Sequence, residues 1–188
     1  TTILPDQLDL GRAPTAADWS TRDLALRQSY ARSVVDNWTK LHAAPPTLRI
    51  ALPDGPGARM LFRAISQDYA AIGLSVVLVP WDAPADLRLI DEVAPFDSAL
   101  WYLARLGCDL NRLCSKEGEA KLTAAREARS EADRSRTLGE AETLILAAAN
   151  YIPLGMPIRF SLVRPRLTGY ALSPRARHPL NALFRDTR

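Results

Sequence analysis

The sequence predicts an α/β fold in which helices flank a mixed sheet that contains a parallel strand–helix–strand unit. Two short apolar segments, residues 48–52 (LRIAL) and 74–81 (LSVVLVPW), have the composition of strands. Residues 58–72 between them carry apolar side chains at helical spacing, and Gly73 follows as the expected left-handed terminator. The second strand is apolar on both faces, which favours a strand that is covered on both sides.

The region before this unit predicts an extended entry segment and one long helix. Residues 1–19 contain prolines and show no sustained period. A helix is expected from Ser20 or Thr21, either of which can cap it, to about Leu41, where the sequence HAAPP ends it. Its predicted core-facing side chains are those of Leu26, Tyr30, Val34, Trp38 and Leu41, with Ala31 and Val35 alongside.

The second half of the sequence predicts mainly helices followed by short extended segments. Residues 87–93 can form a further strand, whereas residues 96–106 fit either a strand or a short helix capped by Asp97. Two helices are expected, at about 115–128 and 131–149. The predicted strands or extended segments after them are 151–157, 159–163 and 168–172.

The last of these helices is amphipathic, with apolar residues at three- and four-residue spacing that pack one side against a core. The residues of this apolar stripe are Leu138, Ala141, Ile145 and Ala148. The charged residues that lie off the stripe are Arg136, Glu140 and Glu142.

Composition and charge exclude several classes of protein. The chain has 188 residues, is 47% hydrophobic and 24% charged, and carries a net charge of +3. Because Lys and Arg are scattered among nearly as many acids, no nucleic-acid partner is expected. No apolar run approaches the roughly 20 residues that span a bilayer, so no membrane insertion is expected. The first ten residues do not resemble a secretion signal, which we interpret as an excised domain rather than a processed protein.

The two cysteines, Cys108 and Cys114, leave two interpretations open. In an oxidising compartment they can close a small disulfide loop that contributes about 2 kcal/mol. In a reducing compartment they are two free thiols. Two sulfurs with the distant His42 and His178 do not make a zinc ligand set, so neither a metal nor another cofactor is predicted.

Catalytic motifs do not stand out in the sequence. A Gly-x-Ser-x-Gly turn is absent, and the two histidines lie beside prolines and in a basic tail. The turn at residues 53–57 (PDGPG) follows a strand and precedes a helix, but it lacks the Gly-Lys-Ser/Thr ending of a phosphate-binding loop. Asp and Glu are plentiful enough for a catalytic carboxylate pair, but no spacing singles one out.

Three aromatic residues and one arginine are candidate ligand contacts. Trp81 ends the central strand, where ligands of open α/β sheets gather, although it can equally pack against a neighbouring loop. Trp101 and Tyr102, with Arg105, can grip an extended ligand by stacking and by a bond to a carboxylate. In the alternative arrangement Trp101 faces the core, while Tyr102 and Arg105 point to water.

The order of these segments resembles the C-terminal lobe of the bacterial extracellular solute-binding proteins of family five, the receptors of peptide and nickel ABC importers. The similarity covers most of residues 20–170. The segments that resemble family motifs are Ala71–Val76 (AIGLSV), Phe96-Asp97, Ile152-Pro153-Leu154 and the stretch from Val163 to Tyr170. The resemblance implies a periplasmic-binding-protein-like lobe at residues 20–172, a hinge segment at 1–19 and an irregular tail at 173–188.

The cleft motif of that family, Trp-x-Ala-Asp-x-x-Asp-Pro, is not reproduced here. In its place the chain has SALWYLARLGCDLNRLC, where Trp101 or Tyr102 stands near Asp109 and Asn111. The candidate ligand-binding residues are therefore Trp81, Trp101, Tyr102, Arg105, Asp109 and Asn111.

The resemblance implies a binding function without covalent chemistry. In the family, two lobes close over a peptide or similar small polar solute in the periplasm and present it to an ABC permease. This chain is too short for both lobes, so it would be one lobe with part of the hinge. Two alternatives remain: the same lobe as the ligand-sensing domain of a cytoplasmic transcriptional regulator, and a small hydrolase that uses His42 or His178.

Overall fold

The structure is a computed structural model that divides into two compact units. It describes residues 2–6, 8–110, 113–158, 160–173 and 178–185. One unit, the sheet unit, comprises Thr21–Glu92, and the other, the helical unit, comprises Thr1–Ser20 together with Val93–Arg188. No helix within the described ranges is long and apolar enough to cross a bilayer.

The sheet unit is built around three parallel strands. Its elements are α1 (Leu24–His42), β1 (Thr47–Ala51), α2 (Pro56–Ala70), β2 (Ser75–Val79) and β3 (Leu87–Arg88). The strand order is β2-β1-β3, and β1 runs parallel to both neighbours, with Thr47 opposite Ser75 and Ile50 opposite Leu87. The parallel strand–helix–strand unit and the mixed α/β class that the sequence predicts are confirmed.

Helix α2 begins and ends where its residue types favour it. Pro56 occupies the first turn, where a missing N–H costs nothing. At the other end Gly73 has a φ of 86°, the left-handed conformation expected of a terminator. Leu74 N donates to Tyr69 O at 3.0 Å and Gly73 N to Ala70 O at 3.0 Å, which satisfies two of the last carbonyls. Burial raises the pKa of the half-buried Tyr69.

The apolar side of α1 is not buried, and the prediction that it faces a core is wrong for this chain. Its five predicted core residues, which are between 46% and 81% exposed, are Leu26, Tyr30, Val34, Trp38 and Leu41. The buried residue of α1 is Val35, which packs over Gly73, and Arg32 Nε donates to Ala71 O at 2.7 Å. Helical periodicity shows which side chains share a face, but it does not show what covers that face.

Strand β2 also differs from expectation. Both of its faces were predicted to be covered, yet Val77 and Leu78 are exposed. One face packs on α2, while the side chains of the other find no layer within the unit. The continuous apolar run therefore shows that the strand is hydrophobic, but it does not show that both faces of the strand are buried.

An ion pair ties β1 to the start of β3. Asp86 Oδ2 accepts hydrogen bonds from Arg49 N at 2.8 Å and Arg49 Nε at 3.1 Å, and Asp86 Oδ1 accepts one from Arg49 Nη2 at 2.8 Å. The bonds from the Arg49 side chain, followed by that from its backbone N–H, lower the pKa of Asp86 to about 2. The same pairing raises the pKa of Arg49.

The helical unit consists of three helices and one short strand pair among its described residues. Its helices are α3 (Ala99–Ala104), α4 (Lys116–Arg126) and α5 (Glu131–Ala147), and its strands are β4 (Leu167–Thr168) and β5 (Phe184–Arg185), which pair antiparallel. Residues 96–106, which fitted either a strand or a helix, thus contain a short helix. Ser115 caps α4 by accepting from Gly118 N at 3.0 Å, and Ser130 caps α5 by accepting from Asp133 N at 3.1 Å.

The core of the helical unit joins its helices to the entry segment. Its most deeply buried apolar residues include Leu4, Leu103, Leu122, Leu138 and Ile145. The predicted stripe of α5 is confirmed at Leu138, Ala141 and Ile145, whereas Ala148 is exposed at the helix end. Helix α4 approaches α5 closely at Gly118, where a Cβ atom would lie 2.8 Å from Ile145 Cγ1.

Glu142 is fully buried, which the helical pattern did not indicate. Its Oε1 accepts from Thr15 N at 2.9 Å, and its Oε2 accepts from Thr15 Oγ1 and Arg12 Nη2, each at 2.9 Å. The Arg12 guanidinium also donates to Gly139 O at 2.6 Å, and a Cβ at Gly139 would lie 2.6 Å from Arg12 Nε. A glycine one turn before Glu142 therefore lets the arginine reach the helix.

Strand is rare in the segments after α5, which the sequence predicted as short strands or extended segments. Residues 151–158 and 160–163 form no strand, and Arg159, which began one of the predicted strands, lies outside the described residues. Of the predicted strand 168–172, only Thr168 is in a strand, beside Leu167. A strand needs a partner for its backbone groups, and none of the described residues pairs with residues 151–158 or 160–163 in a sheet.

We expect the ion pair of the buried Glu142 with the partly exposed Arg12 to matter more than the exposed pairs of α5. Arg12→Met leaves the buried Glu142 carboxylate with bonds from Thr15 alone, so the free energy of unfolding should fall by about 2–3 kcal/mol. The matched change Arg136→Met breaks two exposed pairs, those with Asp133 and Glu140, and should have a much smaller effect because both pairs lie in solvent. Urea denaturation of the 188-residue chain measures both values.

A second variant tests the cause of that loss. Adding Glu142→Gln to Arg12→Met removes the buried charge and should recover part of the lost stability. Equal effects of Arg12→Met and Arg136→Met would contradict a special role for the buried pair.

The Asp86 pair predicts a pH dependence of the sheet unit. Because its folded pKa is lower than the unfolded value of about 3.9, Asp86 stabilises the fold above about pH 4, and this contribution is lost as the pH falls towards 2. The coupling between Asp86→Asn and Arg49→Met, obtained from a double-mutant cycle in urea, should be constant at neutral pH and vanish in acid. A coupling that does not change between pH 7 and pH 2 would refute this assignment.

Candidate functional site

Helix α3 presents an aromatic pair together with an arginine. Trp101 and Tyr102 are both half-buried, and their rings meet edge to face, with centroids 5.1 Å apart and planes at 89°. The guanidinium carbon of Arg105 lies 5.2 Å from the centre of the Trp101 ring, within the range of a cation–π interaction. The structure thus brings three predicted residues together, and we call them the Trp101 cluster.

The members of the Trp101 cluster have different surroundings. Tyr102 packs against the buried core of the helical unit, beside the fully buried Leu103. Trp101 stacks with the exposed Arg105. This differs from the alternative in which Trp101 faces the core and Tyr102 points to water, because Tyr102 is the residue that anchors the pair.

The start of α3 is held by a carboxylate from the entry segment. Ser98 is the N-cap residue, and Asp9 Oδ1 accepts from Ala99 N at 2.6 Å, so the prediction that Asp97 caps the helix is wrong. Asp9 Oδ2 also accepts from Ser98 Oγ at 3.4 Å and lies 3.5 Å from Arg134 Nη2. A negative charge at this end of α3 is favourable, because the N-terminal N–H groups of a helix carry partial positive charge.

A disulfide loop follows the Trp101 cluster. The structure joins Cys108 to Cys114, with Cα atoms 5.2 Å apart. Glu119 Oε2 accepts from Cys108 N at 3.1 Å, which holds the first end of the loop to α4. Asn150 Nδ2 donates to Leu113 O at 2.6 Å, which holds the second end to the residues after α5.

The other predicted ligand-binding residues do not belong to the Trp101 cluster. Asp109 is exposed within the 3-10 turn Cys108–Leu110, and Asn111 lies outside the described residues. Trp81 belongs to the sheet unit, where it follows β2 and is 48% exposed, and the Arg88 guanidinium carbon lies 5.2 Å from its ring centre. Each unit therefore carries a tryptophan stacked with an arginine, and a role for Trp81 in ligand binding stays a prediction.

These groups offer binding chemistry. An aromatic face accepts apolar or planar groups, the Arg105 guanidinium can bind a carboxylate or a carbonyl, and the Asp109 carboxylate can accept from an ammonium group. Among the residues that the structure describes, no three His, Cys, Asp or Glu side chains lie together in a way that could hold a metal ion.

Three residues that position the site were not found from the sequence: Asp9, Glu119 and Asn150. Asp9 lies 90 residues before its partner Ala99, and Asn150 lies 37 residues after Leu113. No local pattern marks such contacts. Only Glu119 carried a usable signal, since an acidic residue in the first turn of α4 lies close to the cysteine loop in the sequence.

Comparison with solved structures gives a consistent result. OppA from Haemophilus influenzae, solved in complex with RPPGFSPFR, matches with a TM-score of 0.80 over 96% of this chain at 15% sequence identity. OppA from Burkholderia pseudomallei matches with a TM-score of 0.68 over 88% of this chain at 16% identity. HbpA2 from Haemophilus parasuis matches with a TM-score of 0.59 over 99% of this chain at 15% identity.

The chain therefore has the fold of one part of an OppA-type binding protein. It covers 39%, 36% and 39% of the three OppA-type structures, so it spans less than two-fifths of their length. No protein-family model matches the sequence, and no curated protein matches it significantly. At such low identity, the similarity establishes the OppA-type fold and not the ligand.

We expect the disulfide to stabilise the loop beside the Trp101 cluster. For a loop that joins cysteines six positions apart, loss of the bond should lower the free energy of unfolding by about 2 kcal/mol. Urea denaturation with and without a thiol reductant measures the difference. The variant with both Cys108→Ser and Cys114→Ser serves as the control, because the reductant should leave its stability unchanged.

Proposed function

We propose that this chain is one lobe, with part of the hinge, of a two-lobe receptor that binds a peptide for an ABC importer. The observation that supports this most strongly is the match over 96% of the chain to an OppA solved with the peptide RPPGFSPFR. In this proposal residues 1–19 belong to the hinge, 20–172 to the lobe and 173–188 to the tail. The receptor works in the periplasm and delivers its ligand to the permease subunits.

The Trp101 cluster supplies contacts to the peptide. Tyr102 packs on the core and meets the Trp101 ring edge to face, and Arg105 stacks on that ring, so part of the ordering of the cluster precedes binding. Trp101 packs against the side chain or backbone of the ligand, and Arg105 binds a carboxylate or carbonyl oxygen. Asp109 and Asn111 are proposed as further polar contacts. Trp81, in the sheet unit, is proposed by itself as an aromatic ligand contact.

Binding by enclosure requires no bond to be made or broken. The ligand is held by desolvation of its apolar groups and by hydrogen bonds from both lobes, and release follows when the lobes open. We therefore assign no catalytic residue. Affinity in such a site depends on both lobes, because a single lobe leaves much of the ligand in water.

Thermal denaturation tests the proposal. With RPPGFSPFR and a set of shorter peptides as probes, the complete two-lobe protein should be stabilised, by about 2.7 kcal/mol when a peptide is present at 100 times its Kd. The 188-residue chain alone should show little stabilisation, because the opposing lobe is missing. Tight peptide binding by these 188 residues alone would contradict the one-lobe assignment.

The role of Trp101 is tested separately in the complete protein. Trp101→Ala should raise the Kd for the bound peptide about tenfold, a loss of about 1.4 kcal/mol, without changing the Tm of the unliganded protein. Trp38→Ala is the matched control, because Trp38 is also partly exposed but lies on α1 and should not affect the Kd. A large fall in the unliganded Tm would assign Trp101 to the core instead.

A further inference from the structure

The segment that follows α5 exposes an unusual row of apolar side chains. Helix α5 ends at Ala147, and Ala149 adopts a left-handed φ of 50°, which turns the chain away. The apolar residues beyond this turn, which are between 54% and 93% exposed, are Ile152, Leu154, Met156, Ile158, Phe160 and Leu162. They all occupy even positions, which is the period of a strand with one buried face.

Among the described residues, the row joins no sheet. Residues 151–158 and 160–163 lie in no helix or strand. The sheet that the described part of the helical unit contains is the β4–β5 pair, of two residues in each strand. That pair is too short to cover a row this long.

The prolines show how the segment can pair. In a strand, the N–H and C=O of one residue point to the same edge, and those of the next residue point to the opposite edge. Pro153 and Pro157 both occupy odd positions. The edge to which the odd-numbered residues point their backbone groups, the odd edge, therefore lacks two N–H donors, and the opposite edge is the even edge. The even edge keeps the N–H groups of Leu154, Met156 and Ile158. Such a segment can pair along one edge only and must stand at the border of its sheet.

We propose that residues 151–158 add, through their even edge, as a border strand to a β-sheet in the part of the two-lobe protein outside this chain. This rests on the proposed function, which places the chain in a longer protein. The matched OppA-type structures are more than twice as long, since the chain covers 39% of the first. The apolar face of the strand is buried against that sheet, and its proline edge faces solvent.

Hydrogen exchange of single amides, measured without peptide, tests this pairing in the complete protein. The amides of Leu154, Met156 and Ile158 should exchange at least 100-fold more slowly than in an unstructured chain, while that of Gly155 exchanges fast. In the 188-residue chain all four should exchange fast. Fast exchange in the complete protein would overturn the proposal, and so would equal protection in the 188-residue chain, which would indicate an internal partner or a second copy.

Two adjacent substitutions sharpen the test. Pro157→Ala creates a new amide on the odd edge, which should exchange fast while the amides of Met156 and Ile158 stay slow. Met156→Pro removes a donor from the even edge and should speed the exchange of Leu154 and Ile158 at least tenfold. Equal effects of the two variants would refute the edge assignment. If Met156→Pro fails to fold, Pro157→Ala alone tests it: a slow amide at position 157, or fast amides at Met156 and Ile158, would refute the assignment.

The outcome is independent of ligand binding. Because no peptide is present, a protein that binds no peptide can still show alternating protection. That result would contradict the proposed peptide binding and support the proposed strand pairing. Peptide binding together with fast exchange of these amides would contradict the strand pairing and support the receptor function.

Discussion

The position of the entry segment depends on one buried carboxylate, that of Glu142. An ionised group without solvent is very unfavourable unless it is paired and hydrogen-bonded, and Glu142 satisfies this with Arg12 and Thr15. The requirement is strict because each of the two oxygens needs a donor at a defined place. It therefore selects one position of residues 12–15 along helix α5. A purely apolar contact would allow these residues to shift along the helix.

That register has effects further along the chain. Once the entry segment is fixed on α5, Asp9 comes within reach of the first N–H of α3 and of Arg134. A helix of six residues has little stability of its own, so α3 depends on this carboxylate and on the packing of Leu103. The position of Trp101 thus depends in part on Asp9, which is distant from it in the sequence.

Local patterns predicted the parts of the fold that local physics determines. The β1–α2–β2 unit follows from two apolar runs, one helical period and a terminating glycine, each of which acts over a few residues. The stripe of α5 was found in the same way. By contrast, Glu142, Asp9 and Asn150 take partners from 37 to 130 positions away, which no period encodes.

The predictions that apolar faces are buried failed for a different physical reason. The α1 face and the segment after α5 are hydrophobic as predicted, but the fold of these residues provides no layer to cover them. Amphipathicity predicts that a face is covered, but it does not identify the part of the protein that covers it. For the candidate site, the clustering of Trp101, Tyr102 and Arg105 was predictable from helical spacing, whereas the residues that support it were not.

Strand β2 has a consequence for how the protein must be handled. It stands at the border of the three-stranded sheet among the described residues, and its sequence SVVLV contains neither a charge nor a proline. Such a border is a template on which other chains can add, and short uncharged runs of this composition are prone to form amyloid-like stacks. When these residues are produced alone, intermolecular aggregation through β2 therefore competes with folding, and a charged residue at Val77 would act as a gatekeeper against it.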